Sequence, residues 1–102
     1  MQDLRKIKKH KRLASFLRRI QGLLGQKAIQ IVDYWDSDLC AIGLRKKQKL
    51  LYIGTYPYIS NTKRLYDYEL ELIEDDASNS SITLEEGRAV KEPMLIRVIE
   101  RL

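Results

Sequence analysis

Three groups of residues in this chain have types and spacings that could do chemistry. The first is a run of carboxylates: Asp67, Glu69 and Glu71, continued by Glu74, Asp75 and Asp76. Carboxylates two apart on a strand stand roughly 7 Å from each other, a spacing that resembles a general acid/base pair or a row of metal ligands. No histidine accompanies them, and each falls on a wet face where nothing perturbs it. A solvated face, or a docking strip for a basic partner, explains them better than a reaction does. The second group is Asp33, Asp36 and Asp38. It lacks the glycine bend and terminal glutamate of a calcium loop, so turn formation accounts for it. The third is the basic series Arg5, Lys6, Lys8, Lys9, Lys11, Arg12, Arg18 and Arg19. Such a cluster can hold phosphates of nucleic acid or of an acidic membrane surface, because affinity grows with the phosphates neutralised. Equally, it can be the wet side of a helix docked through its apolar side.

Little else offers a reaction. His10 is the only histidine and lies in the charged start of the chain, with no nucleophile or acid placed to work with it. Cys40 is the only cysteine, which excludes an internal disulfide, and its apolar neighbours mark it as a core residue. The five glycines are scattered and form no phosphate loop. The expectation is a protein that is not an enzyme and carries neither cofactor nor metal.

The elements that must position these groups centre on residues 65–73, LYDYELELI. Tyr66, Tyr68, Leu70 and Leu72 alternate with Asp67, Glu69 and Glu71, the period of a strand with one dry and one wet face. Before it, residues 28–34, 39–44 and 50–56 read as three further strands. Residues 45–48 form a link of hairpin length, and Gly54 marks a bulge or a close backbone approach. Residues 57–64 and 74–81 read as loops. Ile82–Leu84 is a short strand or an extended lead-in, and residues 85–91 stay ambiguous, with Gly87 opposing a helix. Residues 11–24 place Leu13, Phe16, Leu17, Ile20, Leu23 and Leu24 on one helical face, opposite Lys11, Ser15, Arg18 and Arg19. Pro93 opens a final helix whose apolar face is Met94, Leu95, Val98, Ile99 and Leu102. The fold class expected is α+β: a four-stranded antiparallel meander covered by a C-terminal helix, with an N-terminal cationic amphipathic helix.

Charge divides the chain of 102 residues unevenly. Residues 1–27 hold nine basic residues and one acidic, while residues 28–102 hold ten basic and thirteen acidic. This suggests a basic extension and helix over 1–27 and a small α+β domain over 28–102, near the low end for a self-sufficient core. No apolar run is long enough for a transmembrane segment and no secretory signal is evident, so the expected location is cytoplasmic. The aromatic residues Trp35 and Tyr58 flank the acidic strip and suit a protein interface. The glycine–aromatic pattern of an RNA-binding sheet is missing.

VDYWDSDLCAIGL (32–44), LLYIGTY (50–56), YDYELEL (66–72) and LIRVIERL (95–102) together resemble small immunity proteins of bacterial polymorphic-toxin and contact-dependent inhibition systems. The resemblance covers roughly residues 29–102 and lies in element order, not in an invariant motif. It implies a stoichiometric inhibitor that binds a toxin domain and has no chemistry of its own. The strongly basic residues 1–27 depart from that pattern. The reading is therefore a non-catalytic protein-binding module, of immunity type, that takes another protein such as a basic toxin domain. Its contact surface would be Trp35, Tyr58, Asp67, Glu69, Glu71, Glu74, Asp75 and Asp76. The alternative is a nucleic-acid-associated protein that grips phosphates with its basic N-terminal helix. A homodimer stays open, as does what the apolar stripe of that helix packs on.

Overall fold

Period-two alternation builds the sheet. In β4 (Leu65–Asp75), Tyr66, Tyr68 and Leu70 are buried while Asp67, Glu69 and Glu71 are half exposed, as one dry and one wet face require. The computed structural model describes residues 9–33, 38–59, 64–75 and 80–102, with the Asp75 side chain left out. Around β4 lie β1 (Gln30–Val32), β2 (Ala41–Lys46), β3 (Lys49–Gly54) and β5 (Ser80–Lys91). They form one five-stranded sheet in the order β1-β2-β3-β4-β5, every pair antiparallel. Short links between consecutive strands leave no other choice. Lys47 and Gln48 alone join β2 to β3, with Lys47 in the left-handed region at φ 55°.

Two expectations are corrected. The sheet has five strands, not four: Ile82–Leu84 and residues 85–91 belong to one 12-residue strand. Its alternation is hidden because the β4–β5 register shifts at Tyr66/Tyr68, at Leu70/Glu71 and at Ile73/Asp75, and each bulge moves the following side chains out of phase. The N-terminal helix is also not continuous. Ile20, at φ −100° and ψ 10°, divides it into α1 (Lys11–Arg19) and α2 (Gln21–Gln26). The apolar spacing survives the break, since Ile20 and Leu24 still reach the core. The final helix, α3 (Glu92–Glu100), has Pro93 in its first turn as expected.

All three helices lie on one face of the sheet. Their buried residues join Ile31, Ile42, Leu44, Leu51, Ile53, Tyr66, Tyr68 and Leu70 in a single cluster. Leu13, Phe16 and Leu17 of α1 are wholly buried there, as are Leu95, Val98 and Ile99 of α3. Burying such a side chain contributes about 1.5–3 kcal/mol, so α1 is part of the fold's stability. The Phe16 and Tyr66 rings meet at 5.2 Å. The apolar stripe of the N-terminal helix thus packs on its own sheet, and the core runs without a break across residue 27.

Candidate functional site

The register defines what the helix-free face presents. Val32, Gly43, Tyr52, Glu69 and Glu86 form one row across all five strands. Gln30, Arg45, Leu50, Glu71 and Thr83 form the next. On the β1–β3 side the first row is apolar and aromatic and the second adds Gln30 and Arg45, while the β4–β5 side is acidic. Tyr52 lies along its own strand, its hydroxyl 2.6 Å from where a Cβ on Gly54 would stand. The close approach at this glycine is therefore made by a side chain, and neither a bulge nor a second backbone is found there. Among the described residues no helix covers this face.

Three carboxylates gather on the acidic side. Glu69 and Glu86 are directly paired across β4 and β5, and Glu71 follows Glu69 on the same face. Glu69 accepts a hydrogen bond from the Thr83 hydroxyl at 3.0 Å. None of the three makes an ion pair among the described residues. The cation on these rows, Arg45, is separated from Glu71 by Leu50 on the intervening strand. Burial, then the neighbouring Glu69, raises the Glu71 carboxyl above its ordinary range. Facing like charges oppose folding, so the cluster is a local cost.

Asp67, at the other end of the same strand face, is committed to the fold. Its Oδ1 accepts from the Tyr58 hydroxyl at 2.6 Å and from the Ala89 N–H at 3.0 Å, and Oδ2 lies 3.5 Å from Arg88. Ala89 adopts φ 51° in the bulge that Asp67 holds. Tyr58 sits on a 3-10 turn (Tyr56–Tyr58), and its carbonyl accepts from Arg12 Nη1 at 2.6 Å. The bond to Asp67, then burial, pushes the Tyr58 phenol up. Glu74 is exposed and accepts from Ser80 Oγ at 3.3 Å. Trp35 and Asp76 lie outside the described residues, as do Arg5, Lys6 and Lys8; of Asp75 only the strand position is described.

The basic series is divided in the same way. Lys9 Nζ reaches Asp33 Oδ1 at 2.9 Å and the Asp38 carbonyl at 2.7 Å, with its side chain almost wholly buried. Asp38 Oδ1 accepts the Cys40 N–H at 2.9 Å, the local bond of a turn residue, and Asp36 lies outside the described residues. Arg12 holds Tyr58, and Arg19 holds Ser15 and Glu92. Lys11 and Arg18 make no such bond among the described residues. His10 Nδ1 accepts the Arg12 N–H and caps α1.

Sequence reasoning missed Glu86, because it joins Glu69 only through the bulged pairing. It also missed the Tyr68–Glu85–Arg101 group on the opposite face. There Glu85 accepts from Tyr68 at 2.6 Å and from Arg101 at 2.9 Å, and Arg101 first, then Tyr68, lowers its carboxyl. Among the described residues no three acidic, histidine or cysteine side chains could hold a metal ion together. Nor is any described helix long and apolar enough to cross a membrane. No protein family, curated protein or solved structure matches this chain.

Proposed function

We propose that this chain is a non-catalytic protein-binding module whose helix-free sheet face takes a basic partner protein. The observation that carries the reading is the Glu69–Glu86 pair with Glu71 beside it, three carboxylates that make no ion pair among the described residues, on the face that no described helix covers. A stable fold gains nothing from that arrangement, whereas a cationic partner relieves it and is steered toward it. Val32 and Tyr52, half-buried in the Glu69 row, give the partner an apolar and aromatic ground beside the charges. Asp67 and Tyr58 support the face from within, and Glu69, Glu71 and Glu86 contact the partner. An inhibitor of immunity type, blocking a basic toxin domain by occupying its surface, fits this description and needs no catalytic residue. The test is affinity for the captured partner. Glu69→Lys with Glu71→Lys should weaken binding by an order of magnitude or more while the chain stays folded. Unchanged affinity would remove this face from the account.

A further inference from the structure

The cations of α1 are not spread evenly along the helix. Lys11, Arg12, Ser15, Arg18 and Arg19 line one groove of about 270 Å³, and Arg64, just before β4, completes it. A second hollow, lined in part by Arg64, Lys91 and Glu92, adjoins it. Glu92 at the start of α3 organises the arginines. Its Oε1 accepts from Arg19 Nη2 at 2.6 Å, and its Oε2 lies 3.8 Å from Arg64 Nη1. One carboxylate therefore holds two guanidinium groups at a shared groove, yet leaves the groove strongly positive.

The charges of the groove are felt in the core beneath α1. Tyr66 is wholly buried, and its hydroxyl has no hydrogen-bond partner among the described residues. Its ring packs on Phe16 of α1. The charges acting on that hydroxyl belong to Glu92 of the adjoining hollow and to Arg19, Arg12 and Arg64 of the groove. Burial, then Glu92, pushes the phenol up to about 12, so the hydroxyl keeps its proton and remains a donor at neutral pH. Tyr66 lines neither hollow, so the groove's charges act on its hydroxyl through the packed core and not by contact with a ligand.

We infer that the groove binds a compact polyphosphate, with Lys11, Arg18 and Arg64 on its oxygens. Guanidinium forks suit phosphate oxygens. The charge argues for a compact ligand: these cations converge on one groove, whereas a nucleic-acid strand spreads its phosphates along its length. The inference is independent of the sheet-face proposal, since α1 lies on the opposite side of the sheet.

The test is calorimetric titration of the full chain with inorganic tripolyphosphate at constant ionic strength, beside single-stranded oligonucleotides of increasing length. Saturable tripolyphosphate binding is expected. It should weaken about tenfold in Arg18→Gln and in Arg64→Gln, both exposed positions whose variants should melt like the parent. Three outcomes overturn the inference: no saturable binding, affinity unchanged in either variant, or binding confined to oligonucleotides and growing with their length.

Discussion

Glu69 and Glu86 stand opposite each other across the β4–β5 ladder, and no cation pairs with either among the described residues. Two like charges in a directly opposed pair oppose strand pairing by roughly 0.2–1 kcal/mol. Glu86→Gln should therefore raise stability by about that amount and weaken partner binding. The gain should be largest at low ionic strength and shrink as salt screens the pair. Urea unfolding at two salt concentrations reads it directly. A loss of stability would mean that Glu86 has a favourable partner in solution.

Acid should affect two glutamates in opposite senses. The Glu71 carboxyl is raised by burial and by Glu69. The folded state therefore prefers it protonated, and its contribution to stability, fully present below the ordinary carboxylate pKa, is lost as pH rises through the raised value. The Glu85 carboxyl is lowered by Arg101 and Tyr68. Its contribution is present above the ordinary carboxylate range and is lost as pH falls through the lowered value. Melting curves over the acid range should show Glu71→Gln removing the decline on raising pH, and Glu85→Gln removing part of the acid-induced loss.

Asp67 should behave as a structural residue. Asp67→Ala leaves the Ala89 N–H and the Tyr58 hydroxyl without their acceptor, a cost of about 1–3 kcal/mol. Tyr58→Phe removes one bond and should cost less. Ala89→Gly, which relieves φ 51°, should be neutral or stabilising by up to about 1 kcal/mol. Chemical denaturation of the three variants separates these effects. Asp67→Ala with parental stability would show that the bulge holds without it.

The helix α1 should prove indispensable to folding. Phe16→Ala empties a wholly buried site against Tyr66 and should cost about 3–5 kcal/mol. Removing residues 1–27 uncovers the sheet's dry face and should abolish cooperative unfolding. A sharp thermal transition in residues 28–102 alone would contradict this.

Much of this arrangement is readable in the residues themselves. Tyr66, Tyr68 and Leu70 declare the dry face of β4 because its period is strict, and the two-residue link between β2 and β3 follows from polar residues between apolar runs. The strand β5 is not declared. It lies at the sheet edge with Ile82 and Leu84 about half exposed, so burial imposes no pattern on it, and its bulges break what alternation remains. The carboxylates Glu69 and Glu71 are visible as a wet face, but their neighbour Glu86 depends on a register that only the folded sheet fixes. Asp67 shares their alternation and differs only in what folds against it. The groove on α1 needs Arg19 and Glu92, 73 positions apart, to meet. No local signal announces such a pair.

The central claim is that the acidic sheet face takes a protein partner. The most direct measurement is capture from source-cell lysate with the full chain and with its Glu69→Lys/Glu71→Lys variant, each with and without nuclease and compared at low and moderate salt. The account predicts one protein retained by the parent chain, insensitive to nuclease and lost from a variant that still melts cooperatively. Equal retention of that protein by both chains, or recovery of nucleic acid alone before nuclease treatment, would contradict it.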